Sequence, residues 1–143
     1  MAIEKLHLLV LHFPVALLIA AGLADGLWLW RRKGIFRDAG YFCILLGAAA
    51  CIPTMVTGLM LIGTMGLTGE AADLGETHES LGMISTAAAV LAAGIRASRG
   101  NKLSGPWAYA YAAVILGCLA LVGLTGHFGG MLAFGKDYLS GIL

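Results

Sequence analysis

The sequence contains four long apolar runs, and its charged side chains are bunched in the segments between them. A helix needs about 20 residues to cross the hydrocarbon core of a bilayer, and the runs are about that long or longer. Only 12% of the residues are charged, against about 25% in an ordinary soluble domain. The pattern predicts an all-α fold, in which residues 1–143 form a single integral-membrane domain built as a four-helix transmembrane bundle.

The predicted spans cover residues 6–30, 39–65, 77–95 and 106–127, with approximate bounds. The first ends in Trp28 and Trp30, which suit the headgroup level, and Pro106 suits the first turn of the fourth helix. The first run continues past the length of a signal peptide, and its basic cluster follows it instead of preceding it. We therefore expect a retained span and not a cleaved leader.

Basic residues set the expected orientation. Seven of the nine follow the first or the third span, and they are Arg31, Arg32, Lys33, Arg37, Arg96, Arg99 and Lys102. The positive-inside tendency places both basic loops in the cytoplasm, so both termini lie outside (N-out/C-out). Asp25 lies near the first basic cluster, and we expect it to pair with Arg31 or Arg32.

All four histidines fall at the end of the spans opposite the basic loops. His7 and His12 lie near the start of the first span, His78 opens the third, and His127 closes the fourth. An ionisable side chain inside a membrane span is by default a sign of function. His12 lies about 9 Å below the start of its helix, and we expect it to point into the bundle. His7 is turned about 140° from it and is expected at the rim, as a ligand or as an interfacial residue.

Small residues accompany the histidines. Gly82 follows His78 by one helical turn, Gly123 precedes His127 by one turn, and Gly58 ends a stripe of small side chains in the second span. Such positions allow either close helix packing or the approach of a flat ligand. Histidine beside small residues is typical of haem bundles, so we expect haem b to be ligated by two of His7, His12, His78 and His127, next to Gly58, Gly82 and Gly123.

The expected function is therefore that of a membrane-bound b-type cytochrome subunit that passes single electrons near the outer face. One alternative is a non-redox anchor or accessory subunit, in which the histidines only form hydrogen bonds between helices. Another is a metal-ion or quinone site at the outer interface. The three cysteines lie deeper than the histidines, which disfavours a mixed zinc site. No acid–base pair or nucleophile suggests an independent enzyme, and a net charge of +1 gives no reason to expect nucleic acid as a partner.

Four motifs carry a resemblance to a known family: Leu11-His12-Phe13-Pro14, His78-Glu79, residues 126–132 and residues 135–139. Over essentially its whole length the chain resembles the bacterial four-span membrane proteins called domain of unknown function 2231. Relatives occur alone or joined to c-type cytochrome modules. The resemblance thus implies a bacterial inner-membrane protein that works with a c-type cytochrome or a larger respiratory or photosynthetic redox complex, as one subunit of a homo- or hetero-oligomer. Many relatives carry a second histidine where this chain has Phe134, so a single bis-histidine haem is expected here.

Overall fold

Four long helices make up nearly all of the computed structural model, which describes residues 6–139. Helix α1 covers His7–Arg31, α2 covers Gly34–Met65, α3 covers Glu70–Arg99, and α4 covers Pro106–Phe134. Each helix is long and apolar enough to cross a membrane, and no strand occurs in the described part of the chain. The predicted all-α fold with four transmembrane helices is confirmed.

Helix α1 consists of two segments, His7–Val10 and His12–Arg31, on either side of Leu11. The interruption has a local cause, because Pro14 has no N–H with which to bond the carbonyl of Val10 one turn earlier. The chain continues in the same direction, since the amide of Leu11 still bonds the carbonyl of His7 at 3.0 Å. The break therefore leaves α1 as one span.

The helices extend beyond the apolar runs that predicted them. Helix α2 begins at Gly34 instead of residue 39, α3 begins at Glu70 instead of residue 77, and α4 continues to Phe134. Apolar runs detect only the part of a helix inside hydrocarbon, whereas backbone hydrogen bonds persist in the polar interface. Carboxylates in the first turn of α3 also suit the positive end of its dipole. In consequence, His78 and His127 do not lie at helix ends but about two turns inside their helices.

The helices pack most closely as two hairpins, α1 with α2 and α3 with α4. Helix α2 also packs along α3, whereas α1 and α4 touch less extensively. Where they meet, the side chain of Leu119 lies against Gly22. We call the end that contains His7 and His78 the histidine end, and the end that contains Arg31 and Arg96 the basic end.

The two hairpins repeat the same pattern of buried positions at a constant spacing of 71 residues. In α1 and α3 the matched buried residues are Pro14 and Ser85, Leu18 and Ala89, Ala21 and Ala92, and Asp25 and Arg96. In α2 and α4 they are Gly40 and Tyr111, Ile44 and Ile115, and Gly47 and Cys118. Two hairpins that run in the same direction form a parallel internal repeat. We call residues separated by 71 positions equivalent.

Candidate functional site

His7 is held against α2 at the histidine end. Its Nδ1 lies 2.9 Å from the carbonyl oxygen of Thr54, and the half-buried ring lies on Gly58. A carbonyl can only accept a hydrogen bond, so Nδ1 carries the proton and Nε2 of the neutral ring keeps its lone pair. A Cβ atom at position 58 would lie 2.9 Å from Cε1 of His7. Gly58 therefore provides the space for the imidazole.

His78 makes the same contacts in the second hairpin. Its Nδ1 lies 2.9 Å from the carbonyl oxygen of Thr125, and a Cβ atom at Gly129 would lie 2.9 Å from its Cε1. The three residues occupy equivalent positions in the two halves: His7 and His78, Thr54 and Thr125, and Gly58 and Gly129. Each histidine is 47 residues before its threonine. Both imidazoles therefore have a fixed tautomer with an unprotonated Nε2. A backbone carbonyl that accepts from Nδ1 orients metal-ligating histidines in the same way.

The two imidazoles lie on different hairpins at the same end of the bundle. His7 is on α1, and His78 is at the equivalent position on α3. Within residues 6–139, no group of three or more His, Cys, Asp or Glu side chains is placed to hold a metal ion. Among the described residues, the histidine end thus presents two oriented imidazole donors and no larger cluster of such ligands.

A sequence comparison agrees with this architecture. The family profile described as "Predicted membrane protein (DUF2231)" matches residues 4–138. The chain belongs to the DUF2231 family. No curated protein and no solved structure matches the sequence. The resemblance noted in the sequence is thereby confirmed for this DUF2231 protein, as is its membrane character.

The other two histidines lie elsewhere. His12 has an exposed side chain beside Phe13, so the expectation that it points into the bundle is wrong. The reason is the angular offset within α1: the helix turns His7 toward α2, and the same rotation carries His12 to the outer surface. His127 is also exposed, and its Nδ1 lies 3.2 Å from the hydroxyl of Tyr138.

The small residues proposed to make room for a flat ligand have different surroundings. Gly58 contacts an imidazole, as described above. A Cβ atom at Gly82 would lie 3.9 Å from Thr125, so this glycine faces α4 at ordinary contact distance. Nothing lies within 4 Å of a Cβ atom at Gly123, which is exposed. Of the three glycines, therefore, only Gly58 is in contact with a histidine ring.

Sequence reasoning missed Gly129 and the two threonine carbonyls that orient the rings. The 71-residue repeat of His7, Thr54 and Gly58 as His78, Thr125 and Gly129 would have revealed them. The signal is weak, because most of the apolar residues between these positions have diverged.

A buried polar cluster lies at the basic end of this DUF2231 protein. Arg96 Nη2 lies 3.4 Å from Asp25 Oδ1, and the hydroxyl of Tyr111 donates to Asp25 Oδ2 at 2.5 Å. The prediction that Asp25 pairs with Arg31 or Arg32 is therefore wrong. Asp25 faces the bundle interior, whereas both of those arginines are exposed at the end of α1. A buried charge requires a buried partner, and Arg96 from the equivalent position supplies it.

Proposed function

We propose that this protein is a membrane-bound b-type haem electron-transfer subunit, in which the imidazoles of His7 and His78 would hold one haem. The observation that carries the proposal is the pair of equivalent imidazoles at the histidine end. Each has its Nδ1 bonded to a threonine carbonyl, and within residues 6–139 no group forms a hydrogen bond with its Nε2. Haem iron accepts two axial imidazoles, and the carbonyl bond increases their basicity.

The donor set fits haem better than a free metal ion. Two neutral imidazoles satisfy the axial demand of haem iron, whereas a structural zinc ion normally takes four ligands that include thiolates. Gly58 and Gly129 give the rings their positions, because a larger residue would occupy the same space. When bound, haem supplies a site that gains and loses a single electron.

Neighbouring residues orient the two imidazoles and set their polar surroundings. The carbonyls of Thr54 and Thr125 hold each ring in one orientation and keep the proton on Nδ1. The hydroxyl of Thr57 lies 3.4 Å from Nδ1 of His7, whereas Phe128 stands at the equivalent position near His78. The two ligands therefore have different polar surroundings, which tunes their basicity.

Location and partners belong to the same proposal. The histidine end faces the periplasm of a bacterial inner membrane, as the basic residues at the opposite end suggest. Residues at this end would hold the haem within reach of a c-type cytochrome or a larger redox complex, with which it would exchange electrons. With short loops, the chain exposes little surface outside the bilayer, which suits a subunit of an assembly.

A second candidate is a non-redox anchor or accessory subunit. It is favoured by the hydrogen bonds themselves, because each Nδ1 bond joins the two helices of one hairpin. A reduced-minus-oxidised absorption spectrum of the protein, expressed with a full supply of haem and purified in detergent, separates the two. Sharp haem bands support the electron carrier. A featureless spectrum contradicts it and leaves the anchor.

A further inference from the structure

Positive charge at the basic end exceeds the negative charge that the protein supplies there. This end carries seven of the nine basic residues but only two acidic ones, Asp25 and Asp38. Both carboxylates are already paired, Asp25 with Arg96 and Asp38 with Arg37. Five cations remain without an acidic partner among residues 6–139, and they are Arg31, Arg32, Lys33, Arg99 and Lys102. The basic end is therefore suited to an anion from outside the chain.

Arg99 is held in place more firmly than the other four. It lies in the last turn of α3, and its Cζ is 3.8 Å from the ring centroid of Trp107 in the first turn of α4. Its Nε is buried, and no group in residues 6–139 accepts a hydrogen bond from its guanidinium. Arg96 also lacks an acceptor at Nε, but its Nη groups bond to Asp25 and to two carbonyl oxygens. An unmade hydrogen bond of a partly buried charged group is costly, so Arg99 points to an acceptor outside the chain.

The depth and the shape of this stack suit a phosphate group. Tryptophan at the end of a membrane span marks the level of the lipid head groups, and Trp107 is 44% exposed there. A guanidinium that lies on an aromatic ring keeps its planar set of N–H groups available, and two of them match two oxygens of one phosphate. Lys102 is exposed in the segment between α3 and α4, and it adds charge of the same sign. The positive end of the α4 dipole acts in the same direction.

We propose that the stack of Arg99 on Trp107 binds the phosphate of an anionic phospholipid such as phosphatidylglycerol. The lipid phosphate lies at the depth of the stack and supplies the acceptor that Arg99 lacks. Basic sites between membrane helices bind anionic head groups in this way. A zwitterionic lipid carries an ammonium group next to its phosphate, and Arg99 and Lys102 repel that group because like charges repel. The site stands whether or not His7 and His78 hold a haem.

The test is native mass spectrometry of the full-length protein released from detergent micelles, with phosphatidylglycerol and phosphatidylcholine titrated separately. We expect phosphatidylglycerol to bind the wild type about tenfold more tightly than phosphatidylcholine does. Arg99→Gln removes both the charge and the paired N–H groups. We expect it to weaken phosphatidylglycerol binding about tenfold, which corresponds to 1.4 kcal/mol. Arg99→Lys keeps the charge but loses the paired N–H groups, and we expect it to weaken binding about threefold.

The matched control is Arg31→Gln, because Arg31 also stacks on a tryptophan at the basic end, with its Cζ 4.2 Å from the ring centroid of Trp30, but is exposed. This variant should bind phosphatidylglycerol within about twofold of the wild type. Equal weakening in Arg99→Gln and Arg31→Gln would indicate a diffuse attraction between charges and overturns the proposal. Equal affinity of the wild type for the two lipids also overturns it.

Two further outcomes decide the remaining cases. Arg99→Lys reports on the site even if Arg99→Gln does not fold, and wild-type affinity in Arg99→Lys overturns the proposal. Inorganic phosphate, added at the concentration of the lipid, distinguishes a lipid site from a site for soluble anions. We expect phosphatidylglycerol to stay bound, and its displacement by inorganic phosphate would contradict a lipid site.

Discussion

Asp25 and Arg96 occupy equivalent positions in the two halves of the chain, and they meet as a buried ion pair. Their side chains are 7% and 1% exposed, so neither charge reaches bulk water. Arg96 also donates to the carbonyl oxygens of Gly100 and Arg37, at 2.7 and 3.0 Å. One half of the repeat supplies the acid and the other supplies the base, and the pair joins the two hairpins at the basic end.

The ion pair makes a prediction for stability. Arg96→Met leaves the Asp25 carboxylate buried without its cation, and we expect it to lower the free energy of unfolding by about 3 kcal/mol. Arg37→Met removes an arginine whose ion pair with Asp38 is solvent-exposed, and it should change stability by less than about 1 kcal/mol. Reversible unfolding in mixed micelles measures both. Similar values for the two variants would show that the buried pair has no special role.

The hydroxyl of Tyr111 is expected to stabilise the same carboxylate. Tyr111→Phe removes a hydrogen bond to a charged group, which contributes about 1.5–3 kcal/mol. Tyr109→Phe is the control, because Tyr109 is 80% exposed on the same helix. Thermal unfolding in detergent should give a clearly lower midpoint for Tyr111→Phe and an unchanged one for Tyr109→Phe. Equal midpoints would contradict the assignment of Tyr111 to the cluster.

The glycines under the histidine rings make a third prediction. Gly58→Ala and Gly129→Ala each place a methyl group 2.9 Å from an imidazole carbon, so the ring must move. We expect each to destabilise the protein by about 1–3 kcal/mol and to lower its haem content. Gly123→Ala has open space and should be neutral or slightly stabilising, by up to about 1 kcal/mol. The account is wrong about these glycines if all three alanine variants behave alike.

The proposed orientation can be tested with single cysteines. Thr68→Cys lies between α2 and α3 at the histidine end, and Ser104→Cys lies between α3 and α4 at the basic end. In a chain whose native cysteines Cys43, Cys51 and Cys118 have been changed to alanine, intact cells receive a membrane-impermeant thiol reagent. We expect labelling at position 68 and none at position 104 until the cells are opened. The reverse pattern would place the histidine end in the cytoplasm.

The sequence predicted the helices because hydropathy reports directly on the solvent that each segment meets. It did not predict their full length, since the polar turns of Glu70–Thr77 carry no apolar signal. The sequence analysis also assigned all four histidines to one site, whereas the fold places His12 and His127 on the surface. The depth of a residue in the membrane does not determine the side of the helix on which its side chain lies. His12 and His7 differ by about 140° around α1, and only the packing of α1 on α2 decides which of them faces inward.

The sequence did not predict the partner of Asp25, for a different reason. Reasoning from neighbouring residues favours Arg31 or Arg32, whereas the actual partner, Arg96, is 71 residues away. Recognising the repeat would have connected the two, because both residues lie at the same register in their hairpins. Long-range pairing of this kind follows from topology and not from local pattern.

The central claim is that His7 and His78 share one haem. The most direct test is the ratio of haem to protein in purified wild type and in His7→Ala, His78→Ala, His12→Ala and His127→Ala. The account predicts one haem per chain in wild type, its loss in His7→Ala and in His78→Ala, and its retention in the two variants of exposed histidines. Retention of haem in His7→Ala or His78→Ala, or its loss in His12→Ala or His127→Ala, would contradict the account.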